Sequence, residues 1–313
     1  MKRKVIQIAN STQLISLPRK WAQVYGIKKG DELEVVEQGS KVIISQEKGI
    51  RHSSIEIDVT GLDRSTILYY IQNLYRAGYD EINIKFNEQT AVHFRSNEKE
   101  NIVSIIHKEV NRLIGYEVIQ QKENFCLIKD ISSSSIQEFE TVLRRIFLLL
   151  NDASSELLKG ITESNLGLIE TLEEKHDSIT KFISYCLRLL NKYGYDDARK
   201  TTILYHILSC LDKVIDVLKN ASRDTLKFRH KLDHKSIQFF AIVDKSIRLY
   251  TDFFFKLDLK NASEIYKNRN EMLNLLYHYK NKLPRDELIL ASKMEHIFEL
   301  LTDAEVSRMG MKD

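Results

Sequence analysis

Only two prolines, Pro18 and Pro284, interrupt 313 residues. Proline breaks a helix because it lacks the amide donor and clashes with the preceding turn. A chain with so few breakers, and with many Leu, Ile, Glu and Lys, favours long helices and holds no Pro-rich tract. Its length predicts two or three domains.

Three regions follow from the punctuation. In residues 1–48, Lys4–Ala9 alternates and "LISL" continues as a strand. Pro18 suits the first turn of a short helix, where its missing donor would go unused. Trp21, Ala22 and Tyr25 give that helix an apolar side, and Gly26 is a natural stop. Leu33 and Val35 face Val42–Ile44 across "EQGSK", a hairpin turn with Gly39. A piece this small cannot bury a stable core alone, and two copies pairing would solve that problem.

Residues 50–130 read as βαβαββ: "SIEIDV", a helix capped by Asp63 and stopped by Gly78, "EINIKF", a helix from "NEKEN" to Gly115, then "YEVIQQ" and "FCLIKD". This is an α+β unit with helices on one face of a small sheet. Residues 131–313 follow the polar Ser132–Ser135 and are helical throughout, with helices near 136–159, 163–192, 197–227, 233–257, 261–282 and 285–308. Gly160, Gly194 and Pro284 mark the loops. The six helices read as three helices repeated. "LEEKHDSITKFISY" aligns with "IYKNRNEMLNLLYH", and "LSCLDKVIDVL" with "ASKMEHIFELL", apolar positions in step. Tandem three-helix bundles, 131–228 and 229–313, are the expectation.

The net charge of +3 names no partner, but the excess sits at the front. Residues 1–48 carry nine basic against five acidic side chains. Lys2, Arg3, Lys4, Arg19 and Lys20 can reach phosphates, and a dimer doubles the set. A solvated charged terminus is the plain alternative. Cys126, Cys186 and Cys210 have no ligand spacing and lie in apolar patterns, so buried free thiols in a cytoplasmic protein are expected. No signal peptide opens the chain and no apolar run spans a bilayer. P-loop, dinucleotide-binding and hydrolase motifs are absent, so no enzyme is expected.

Glu173 with Asp177, and Asp212 with Asp216, are spaced i, i+4, so each pair shares a helix face. Two such pairs on neighbouring helices would make an all-oxygen site for a divalent or iron-type metal ion in the first bundle. Acids at this spacing also occur on solvated faces, and Asp177 has Lys181 one turn away. His176 lies inside the acidic set. His230, Asp233 and His234 are a second, weaker metal-ligand pattern, beside the plain reading of a solvated helix start.

Two resemblances sharpen these readings. "STQLISLPRKWAQVYGIKKGDELEVVEQGSKVIIS" resembles the swapped-hairpin domain of the SpoVT/AbrB and MazE families, at Leu17, Pro18, Trp21, Gly26, Ile27, Gly30, Asp31, Leu33, Val35 and Ile43. The resemblance implies an interlocked homodimeric β-barrel whose basic residues around the first strand and short helix contact DNA; Arg3, Lys4, Arg19 and Lys20 fall there. Many DNA-binding members have a Gly-Arg pair before the second strand; here Asn10–Ser16 is polar and uncharged, which puts groove choice in question. "LEEKHDSI" and "CLDKVIDVL" resemble the E/D-x-x-x-D metal motifs of PhoU proteins, regulators of phosphate uptake built from tandem three-helix bundles. The equivalent second-bundle positions are Tyr266, Asn270, Glu295 and Glu299, so a metal is expected in the first bundle alone. The whole chain resembles archaeal PhoU-family regulators with an N-terminal AbrB-type domain.

The combined expectation is a multidomain α+β homodimer: a swapped-hairpin barrel, a βαβαββ unit and a PhoU-like helical region. It would be a DNA-binding regulator of phosphate uptake, with phosphate-transporter or sensor-kinase components as further partners. The rivals are a PhoU-type adaptor whose N-terminal part only dimerises, and a carboxylate-bridged metalloenzyme. The scarcity of His near the acids speaks against the second, since such bundles use Glu-x-x-His on two helices.

Overall fold

The computed structural model describes all residues except 1, 9–11, 39, 40, 46–52, 133, 134, 196, 229, 312 and 313. The chain forms two compact units, residues 1–51 and 52–313.

In the first unit, β1 (Ile6–Ile8) pairs antiparallel with β2 (Thr12–Leu14), and β3 (Glu34–Gln38) pairs with β4 (Lys41–Ser45). The described residues hold two separate ladders and no closed barrel. Helix α1 (Arg19–Val24) follows Pro18 as expected. Gly26 and Gly30 take φ of 65° and 95°, which bulkier residues resist. The expected turn residue Gly39, the Asn10 and Ser11 of the polar stretch and the first domain boundary lie outside the described residues.

The second unit starts with an α/β layer. Its sheet runs β5 (Ser54–Asp58), β6 (Glu81–Lys85), β10 (Phe125–Asp130), β9 (Tyr116–Lys122). β5 and β6 are parallel, joined by α2 (Arg64–Arg76); the other pairs are antiparallel. Alternation builds the layer: Ile57, Ile82, Ile84, Cys126 and Ile128 are buried, while Glu56, Asp58 and Lys85 are exposed. Asp63 caps α2, accepting from the amides of Ser65 (2.9 Å) and Thr66 (3.3 Å).

One hairpin departs from expectation. The helix read from "NEKEN" instead starts at Ile102 (α3, Ile102–Val110), capped by Asn101. Residues before it form β8 (Glu98–Asn101), paired with β7 (Thr90–His93). "EKEN" has helix-forming side chains; cross-strand pairing overrides that weak preference.

The helical region holds α4 (Phe139–Glu163), α5 (Leu166–Glu170), α6 (Leu172–Tyr193), α7 (Ala198–Thr225), α8 (His234–Lys256), α9 (Leu259–Tyr279) and α10 (Arg285–Met309). The helix expected over 163–192 is therefore two. Ser164 sits at φ 55° and Asn165 recaps the chain, its side chain accepting from Leu168. Gly160 is not in a loop. It lies inside α4, where an added Cβ would come within 2.8 Å of Ile169, so its missing side chain lets α5 approach. Helix α6 packs between α4 and α7, and α8 between α9 and α10. They share a core, because α7 packs along α10 and α4 along α8. No described helix is long and apolar enough to cross a membrane.

Candidate nucleic-acid interface and carboxylate cluster

Lys2, Arg3 and Lys4 precede β1 on extended chain, and Arg19 and Lys20 open α1. All five are exposed, and none has a carboxylate partner among the described residues. The turn behind α1 is set by Asp31, whose carboxylate accepts from the Lys28 amide at 2.7 Å. None of the side chains described in this unit is buried. Val5, Ile6, Ile8, Leu14, Ile15, Val24, Val35 and Val42 are all more than two-fifths exposed. Covering eight such side chains would contribute on the order of 10 kcal/mol. An unpartnered chain forgoes that gain, which a second copy of the same unit can supply.

The four acids expected to hold a metal gather on α6 and α7, but each meets a cation first. Arg76, from α2, donates to Asp212 Oδ2 at 2.9 Å, and Thr180 donates to Oδ1 at 3.1 Å. Arg112, just past α3, donates to Asp177. Lys181 is not the partner. Arg223 Nε donates to Glu173 at 2.8 Å. Asp216 takes Lys219 (2.8 Å) and Lys213 (3.1 Å). His176 bridges the set, its ring nitrogens 2.9 Å from Asp177 and 2.9 Å from Asp216.

The electrostatics match. Burial would raise Asp216, but hydrogen bonds from His176 and Lys219 outweigh it and hold its pKa well below the carboxylate range. Asp177 is lowered too: burial opposes, and His176 and Arg112 prevail. Burial would lower His176, yet its bonds to Asp177 and Asp216 raise it. A divalent cation needs carboxylate oxygens free to enter its shell. Here most of those oxygens already accept from Arg76, Arg112, Arg223, Lys213 and Lys219, and no group of three or more acid, His or Cys ligands suited to a metal occurs among the described residues. The cluster as folded does not fit a metal ion. In the second bundle, Glu299 pairs with Arg269 at 3.0 Å and Tyr266 is partly exposed. His230 bonds Glu287 through Nε2 at 3.0 Å, and Asp233 caps α8 through one oxygen.

The sequence reading missed a second charged cluster. Arg188 on α6 is almost wholly buried and donates to the carbonyls of Tyr75 (3.0 Å) and Tyr79 (2.6 Å), to Asp80 (3.3 Å) and to Asp130 (2.7 Å). Lys192 joins Asp80. An arginine on the apolar side of α6 was the one available signal.

Residues 6–51 match the family model of MazE, described as antidote-toxin recognition MazE, bacterial antitoxin. No curated protein and no solved structure matches the chain.

Proposed function

We propose that the chain is a homodimeric DNA-binding transcription regulator, its helical region a sensor or partner-binding domain linked to phosphate uptake. The carrying observation is the first unit: exposed basic side chains on a frame whose described apolar side chains are not buried, matching a MazE model. Two copies would bury the apolar faces and double the basic set, which suits a two-fold operator. The link to phosphate rests on the resemblance of the helical repeat to PhoU proteins, with which the helical region is compatible. The exposed apolar faces equally favour a second reading, an adaptor that dimerises through this unit and acts on a transporter or kinase without DNA.

DNA binding across a salt series separates them, using promoter fragments of phosphate-transport genes and unrelated DNA. The regulator predicts selective binding whose log affinity falls by roughly 0.9 per phosphate contact for each decade of salt. Replacing Arg3, Lys4, Arg19 and Lys20 by Ala should remove that slope. Absence of binding at low salt would leave the adaptor.

A further inference from the structure

We infer that the carboxylate face of α6 and α7 is the seat of the α/β layer, with Arg76 and Arg112 standing where a cation would. The inference is independent of the DNA reading.

The contact is an exchange of charge in both directions. From the α/β layer, Arg76 reaches Asp212 and also donates to Ser184 Oγ (3.0 Å), while Arg112 reaches Asp177. From α6, Arg188 and Lys192 reach back to Asp80 and Asp130 of the layer. Asn191 adds a bond to the Arg76 carbonyl at 2.7 Å. Gly78 fits the same interface, since a Cβ there would touch Lys192 at 3.5 Å. The inner pairs are dry: side-chain exposure is 1% for Arg188, 4% for Asp130 and 12% for Arg76. Arg112 and Asp177, at 36% and 45%, form the open rim.

Buried charges are tolerated only when paired, and removing one partner strands the other. Asp212 is therefore committed to Arg76 while the layer is docked. A divalent cation would need the oxygens that the two arginines hold, so cation binding and docking exclude one another. The spacing that suggests a metal cage in one dimension serves, in the fold, as a socket for arginine.

The test uses the full-length protein and Mn²⁺, with free metal read by electron paramagnetic resonance. Wild type should leave Mn²⁺ free. Arg76→Ala with Arg112→Ala should bind it, and adding Asp177→Asn with Asp212→Asn should abolish that binding. Arg112→Ala alone, at the open rim, covers the case in which the double variant does not fold. Separately, Asp177→Asn with Asp212→Asn should speed amide exchange in α2 and α3 several-fold while α4 stays protected. Stoichiometric Mn²⁺ binding by wild type that Asp177→Asn with Asp212→Asn removes would overturn the inference. So would arginine variants that gain no binding, or unchanged exchange in α2 and α3.

Discussion

Glu305 on α10 offers the sharpest test of the helical core. Its side chain is fully buried and neither carboxylate oxygen has a hydrogen-bond partner. Tyr250, whose hydroxyl is also unpartnered, lies within electrostatic range. Burial pushes the Glu305 pKa up from 4.5 to about 8. The sign follows from linkage. At pH 7 the folded protein keeps Glu305 protonated, while the unfolded chain ionises it, so the unfolded state gains. Each pH unit between the two pKa values costs about 1.4 kcal/mol. The penalty is therefore absent below pH 4.5, about 3 kcal/mol at pH 7, and about 5 kcal/mol above pH 8. Glu305→Met keeps the volume and removes the titration, so it should stabilise by roughly those amounts. Urea unfolding at pH 5, 7 and 8.5 measures the gap. Ellipticity at 222 nm reports the helices, and fluorescence of Trp21, the one tryptophan, reports the first unit separately. A gap that does not widen with pH, or a methionine variant less stable at pH 8.5, would refute the reasoning.

Three further outcomes are expected. Arg188→Met leaves Asp80 and Asp130 sharing Lys192 as their cation, and should lower stability by about 3–5 kcal/mol in the same urea series. Ile6→Lys with Ile8→Lys should weaken self-association, read by light scattering, and leave the helical ellipticity intact; an unchanged mass would count against the N-terminal dimer. His176 has a raised pKa, so its stabilising contribution is full below about pH 6.5 and fades as pH rises through its folded value. The stability gap between wild type and His176→Asn should thus be larger at pH 6 than at pH 8.5, and equal gaps would dismiss the linkage.

The helices were legible because their signals are local. Asp63, Gly194 and Pro284 act within a turn of their own positions, and the structure ends or starts helices beside each. The same holds for α1 behind Pro18, and for Cys126, Cys186 and Cys210, which are free and buried. The errors share a cause in partners far along the chain. β7 and β8 form because they pair with each other, β7 packing on α2 and β8 on α3, not because "EKEN" prefers a strand. Gly160 resembled a loop glycine because its reason, the approach of Ile169, is tertiary.

The carboxylate cluster carries this argument furthest. Spacing puts Glu173 and Asp177 one turn apart on α6, and Asp212 and Asp216 one turn apart on α7. What spacing cannot contain is the countercharge. Arg112 lies 65 positions from Asp177 and Arg76 lies 136 from Asp212, both in a layer whose docking no single helix encodes. Four acids in a row of helices are compatible with a metal or with arginine, and the choice belongs to whichever element packs on that face. A cation motif read in one domain is therefore a statement about a surface, and its meaning depends on the neighbour. Here the neighbour brings two arginines of its own and accepts an arginine and a lysine in return. That reciprocity favours docking over metal at this face, since stripping Asp212 and Asp177 for an ion would also leave Arg76 without its carboxylate.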